Sequence, residues 1–161
     1  MCIRDRPLGR IGIVAERGTD RRSRFTPAEQ RTVMSLWSIA QSPLIFGGDL
    51  PSNDEQTTAL ITNDEVLAVN QKGSHGRELF SSGAQRVWVA DGPDSGAKYL
   101  GVFNLGERDQ DIRIQWPELG LPQACVLRDL WDRKDLGEIR GSHTFRVAPH
   151  ASGLYKLTAV R

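Results

Sequence analysis

From residue 26 onward the apolar positions fall three and four apart. Val33, Leu36, Trp37 and Ala40 recur at helical spacing, and Met34 widens the stripe. Just before them stands Thr26-Pro27-Ala28-Glu29. There the Thr26 hydroxyl can accept from the Glu29 amide, the Glu29 carboxylate can reach back to the Thr26 amide, and proline takes the first helical position. The pattern predicts a helix over 26–41. Ser42-Pro43 stops it, because proline pushes the residue before it out of helical space. Leu44–Phe46 then reads as a short buried strand, and Gly47-Gly48-Asp49 as the turn at its C-terminal end. "SNDEQTTALITN" predicts a second capped helix, and "NDEVLAVNQ" a third that starts at Asn63. Helix, strand, helix, helix is α/β grammar.

The periodicity changes at Lys72-Gly73-Ser74-His75-Gly76, which reads as a polar linker. Beyond it the chain alternates. "AQRVWVAD", "KYLGVFNLG", "DIRIQW", "ACVLRDLW", "HTFRVAP" and "SGLYKLTAV" predict strands, separated by turns such as "DGPDSG", "LGERD" and "PELGLPQ". Short strands at regular spacing between Gly, Pro and Asp turns predict an antiparallel sandwich. The chain thus divides into an α/β region, 1–74, and an all-β region, 75–161. A single strand flanked by helices would leave its backbone edges unpaired, so the first region is expected to be part of a larger α/β body.

Composition narrows the function classes. The 161 residues carry a net charge of +1, with 39% hydrophobic and 25% charged residues, as in a soluble globular protein. No apolar run reaches the roughly 18–20 residues of a membrane span, and "MCIRDRPLGR" has no signal-peptide core. The true N-terminus is expected to be missing. Eight arginines fall within the first 31 residues, but four acids accompany them and no aromatic platform is interleaved, so nucleic acid is not expected as a partner. Cys2 and Cys125 make neither a disulfide framework nor a zinc pattern, and His75, His143 and His150 lack ligand spacing. No metal site and no cofactor are predicted. Trp88, Trp116, Trp131, Tyr99 and Tyr155 could stack on sugar faces, though alternation with Val and Ile favours packing in the core. Asp49 is the candidate site residue, because ligands of parallel α/β folds sit at the C-terminal ends of strands.

Particular strings carry a resemblance. "PLGRIGI", "RFTPAEQRTVMSLWSIAQSPLIFGGDL", "NDEVLAVNQ", "YLGVFNLG", "VLRDLW" and "PHASGLYKL" resemble the C-terminal part of the α-galactosidases, or melibiases, of glycoside hydrolase family 27. The resemblance covers 7–161. It implies the end of a (β/α)8 barrel followed by an antiparallel β-sandwich, with Leu44–Phe46 as the eighth barrel strand. It implies a retaining hydrolase of terminal α-linked galactosides, in which one Asp is the nucleophile and a second serves as acid and then base. Both lie on earlier barrel strands, upstream of Pro7, so no catalytic residue is expected in this chain and the chain alone is expected to be inactive. Asp49 becomes a substrate-binding rim residue that orders its loop through backbone amides. The family places an Asp-Met-Leu triplet before the segment matching Pro7-Leu8-Gly9; Asp5 stands one position off and does not inherit that role. Residues 1–6 are accordingly expected to be foreign and to carry no structural information. The family points to a secreted or periplasmic compartment. The alternative is a stand-alone carbohydrate-binding or structural β-sandwich module. The oligomeric state and the exact sugar are left open.

Overall fold

The structure, a computed structural model, describes residues 5–6, 8–11 and 20–160, with the backbone alone for 5–6. Strand β1 (Asp5–Arg6) is followed by β2 (Arg10–Ile11) and β3 (Arg21–Arg22), then helix α1 (Pro27–Ile39) and β4 (Ile45–Phe46). β1 and β4 pair in parallel, Asp5 opposite Ile45 and Arg6 opposite Phe46. A helix joining two parallel strands is the crossover unit of parallel sheets and barrels. Asp5 and Arg6 therefore take part in a ladder, where the first six residues were expected to carry no structure; residues 1–4 lie outside the described residues. β4 is not the buried strand its sequence suggests. Ile45 is 41% exposed, because only one neighbouring strand pairs with β4 among the described residues.

The capping box of α1 is present on both sides. The Glu29 amide donates to Thr26 Oγ1 at 3.3 Å, and the Thr26 amide donates to Glu29 Oε2 at 2.7 Å. Helix α2 (Glu55–Ile61) is capped by Asp54 and α3 (Asp64–Lys72) by Asn63. The apolar stripe of α1 is only partly turned to the core, where Leu36 packs. Val33, Leu36, Trp37 and Ala40 are half-buried, while Met34, Ser35, Ser38 and Ile39 are buried. The helix lies on a sheet surface that carries the rings of Tyr99 and Phe103, and small hydroxyl side chains allow that close approach.

The β-rich part contains eight strands. β5 (Ser74–Ser82), β6 (Gln85–Asp91), β7 (Lys98–Asn104), β9 (Ala124–Asp129), β10 (Lys134–Arg140) and β12 (Ser152–Ala159) form one sheet, in the order β10-β9-β12-β7-β6-β5. β8 (Gln110–Gln115) and β11 (Ser142–Val147) form a two-stranded ladder facing it. The expected antiparallel sandwich is therefore present, built as six strands against two. Two of the six were not read as strands: β5, whose first residues Ser74–Gly76 were taken for a linker, and β10. They are the two edges of the large sheet.

Both faces of that sheet are covered. Val87, Val89, Leu100, Val102 and Leu157 point toward Ile112, Ile114, Phe145 and Val147 of the small ladder, with Trp116 at its end. The intervening residues Ala90, Tyr99, Phe103 and Leu154 pack with Ile39 of α1 and Val66 and Val69 of α3. The molecule is thus three layers: helices, large sheet, small sheet. β7 is buried on both faces, which is why "YLGVF" reads as a continuous apolar run.

Candidate functional site

The end of β4 is built by close backbone approaches. A Cβ on Gly48 would stand 2.6 Å from the Leu8 carbonyl oxygen and 2.5 Å from the Phe46 ring, so only glycine lets the two segments cross there. Leu8 is fully buried under this crossing. The Asp49 amide then donates to the Arg10 carbonyl at 2.7 Å, and the Ser23 amide to the Gly9 carbonyl at 2.7 Å. Residues 8–11 are consequently threaded between the loop after β4 and the segment at 20–23.

Side-chain pairs fasten the same crossing. Arg10 meets Asp20 through two hydrogen bonds, Nε to Oδ1 at 2.9 Å and Nη2 to Oδ2. That contact raises the Arg10 pKa and lowers that of Asp20. Arg22 pairs with Asp54, which also accepts the Thr57 amide at 2.8 Å to cap α2. The hydrogen bonds from Thr57, with the Arg22 contact, pull the Asp54 pKa down to about 2.

Asp49 is half-buried on this rim. It was expected to order the loop by accepting backbone amides. The geometry differs: Asp49 makes no side-chain cap to the short 3-10 turn at Leu50–Ser52. Its carboxylate accepts instead from the Ser52 hydroxyl at 2.5 Å. Arg10, paired with Asp20, adds a weaker electrostatic attraction to Asp49. The Asp49 carboxylate is thus held by a hydroxyl of its own loop. Ser52, Arg10 and Asp20 were not singled out from sequence. Ser52 lies three residues after Asp49, a usable local signal; the Arg10–Asp20 pair spans ten residues and has none.

The aromatic residues considered as sugar platforms are used elsewhere. Trp116 is fully buried, with Nε1 donating to the Ile139 carbonyl at 2.9 Å. Tyr99 is buried in the helix-facing layer, and Trp88 packs against that layer. Tyr155 packs on Phe145 with ring centroids 4.6 Å apart. Trp131 donates to Ser35 Oγ at 2.8 Å, and the Arg31 guanidinium lies 5.2 Å above its ring.

A cavity of about 900 Å³ opens between α1, α2 and the turn bearing Trp131, away from Asp49. Its polar lining is largely spoken for: Arg22 pairs with Asp54, Arg133 with Asp64, Gln30 bonds the Gly9 amide and the Phe25 carbonyl, and Asn63 caps α3. Among the described residues, no group of three His, Cys, Asp or Glu side chains could hold a metal ion, and no helix is long and apolar enough to cross a membrane.

Known proteins match both parts of the chain. Residues 24–72 match the family described as Alpha galactosidase A, and residues 82–157 match the Alpha galactosidase C-terminal beta sandwich domain. An α-galactosidase of Coffea arabica is 36% identical over 139 residues, covering 83% of this chain. The chain spans 36% of that relative's length. Among solved structures, a family 27 β-L-arabinopyranosidase of Geobacillus stearothermophilus superposes with a TM-score of 0.90 at 41% identity, over 97% of this chain and 36% of that one. α-Galactosidase I of Mortierella vinacea superposes with a TM-score of 0.78 at 26% identity, over 84% of this chain and 36% of that one. The chain belongs to the α-galactosidase (melibiase) family of glycoside hydrolase family 27, and carries that family's C-terminal β-sandwich with a short piece of the barrel before it.

Proposed function

We propose that this chain is the closing portion of a retaining exo-glycosidase that releases terminal α-linked galactose. Residues 1–74 end the catalytic barrel and residues 75–161 are the sandwich that braces it. The observation that carries the reading is the parallel pairing of β1 with β4 across α1, in a chain 36% identical to an α-galactosidase. Retaining hydrolysis needs two carboxyl groups about 5–5.5 Å apart, one attacking the anomeric carbon and one handling the leaving-group proton. Asp49 is committed to Ser52 and stands on the rim. It fits a role in ordering the loop and contacting a sugar hydroxyl, while the catalytic pair comes from barrel strands not represented in these residues. The chain alone is then inactive.

A second reading concerns the sugar. The 41% identity to a β-L-arabinopyranosidase favours a substrate with the ring stereochemistry of α-galactose and no hydroxymethyl group.

The test has two arms. The 161-residue chain is assayed with aryl α-D-galactoside and aryl β-L-arabinopyranoside, and no turnover of either is expected; turnover would show that the catalytic pair lies within it. In the second arm, residues 8–161 replace the matching portion of the Coffea arabica enzyme. Recovered α-galactoside turnover supports the proposal. Preference for the arabinopyranoside shifts it to the second reading. A soluble, folded fusion with neither activity overturns both.

A further inference from the structure

The buried Ser35 hydroxyl has every hydrogen-bonding position filled. It donates to the Arg31 carbonyl at 2.8 Å and accepts from Trp131 Nε1 at 2.8 Å and from the Ser152 hydroxyl at 3.1 Å. One donor and two lone pairs is the full capacity of a hydroxyl. Two segments far from α1 in sequence, at Trp131 and Ser152, therefore converge on one fully buried side chain of that helix.

Other contacts repeat the connection. Thr32 donates to the His150 carbonyl at 2.9 Å. Arg128 of β9 grips Glu65 of α3 with two hydrogen bonds, at 2.8 and 2.6 Å. A Cβ on Gly76, at the start of β5, would lie 2.1 Å from the Ile39 carbonyl oxygen, so the end of α1 rests directly on strand backbone. Helices of 13 and 9 residues are marginal alone in water and depend on packing an apolar face. The reverse also holds. Without them, Tyr99, Phe103 and Leu154 would join one exposed apolar patch.

We infer that α1 and α3 belong to the sandwich's own cooperative folding unit, which begins near residue 24, and that the Ser35 hydroxyl keys helices and sheet in a single register. The change at residue 74 is then a change of secondary structure within one unit. The inference is independent of the catalytic reading. It makes the sandwich a part that cannot be detached as a free module without unfolding the helices that lead into the Asp49 rim.

Native-state hydrogen exchange on the full 161-residue chain tests it. The slowest amides of α1, α3, β7 and β12 are expected to share one level of protection, within about tenfold. Helix amides that exchange about a hundredfold faster than sheet amides would overturn the inference. S35A is expected to lower protection in helices and sheet together, by about ten- to a hundredfold. A loss confined to the helices, or no loss in either layer, overturns the keying. If S35A does not fold, W131F removes only the indole donor and is read the same way. Limited proteolysis is expected to leave a core beginning near residue 24; a resistant core beginning near residue 75 would overturn the single unit.

Discussion

Asn63 caps α3 and holds Leu130 with the two ends of one amide. Its Oδ1 accepts the Glu65 and Val66 amides, each at 3.1 Å, while its Nδ2 donates to the Leu130 carbonyl at 3.1 Å. The residue is 5% exposed. Asn63→Ala is expected to cost about 1–3 kcal/mol. Asn63→Asp keeps the cap but loses the donor and buries a charge against a carbonyl, and should be worse than Asn63→Ala. Urea midpoints of the two variants check the order; an Asp variant as stable as the parent would show that the Leu130 contact is not formed.

The helix layer also predicts which apolar residues matter. Val66 and Val69 are fully buried, whereas Leu60 and Leu67 are half-buried. Ile39 is fully buried beside Val66, Val69 and Leu154. Ile39→Ala is expected to cost about 2–5 kcal/mol, the range for a large-to-small change in a packed site. Leu67→Ala should cost about 1 kcal/mol. Thermal or urea unfolding separates them, and equal losses would mean that Leu67 is buried by something this packing does not include.

Two carboxylates should titrate with opposite signs. Burial raises the pKa of Asp129 at the end of β9, although the Trp131 and Asp132 amides donate to it. A native pKa above the unfolded value means that the native state holds the proton more tightly. Stability is thus lost as pH rises from the ordinary Asp value through the raised one. Asp129→Asn keeps an acceptor for both amides and removes that charge, so it should flatten this loss. Asp54 is the reverse. Held at about 2 by Thr57 and Arg22, its contribution is complete above the unfolded Asp value and is lost as pH falls through about 2. Asp54→Asn should remove that acid-side loss. Unfolding measured across pH 2–7 reads both; parallel profiles for Asp129→Asn and the parent would contradict the first assignment.

What could be read from the chain follows the range of the forces involved. The Thr26–Glu29 capping box, the Asn63 cap and the alternation in "DIRIQ" act between near neighbours, and each appears where its residues place it. The family strings carried the barrel strand, the helices and the sandwich in order. β5 and β10 escaped because edge strands have a solvent-facing side and a free backbone edge. "KDLGEIR" is exposed at every position but Ile139, so it shows no alternation, and its charges suit an edge that should not pair further.

By itself, then, the sequence determined where the capped helices and the alternating inner strands lie, and the family, but not the edge strands β5 and β10. Those are set by capping, turn chemistry and hydrophobic period, which act over a few residues. Only the tertiary structure decided which face of α1 is buried, that the Asp49 carboxylate accepts from Ser52, and that Trp131 donates to Ser35. The Ser35–Trp131 contact spans 96 residues. A serine in a helix has no local feature that names such a partner. The indole N–H is satisfied there because taking it out of water unpaired is costly, and that condition exists only once the turn has met α1.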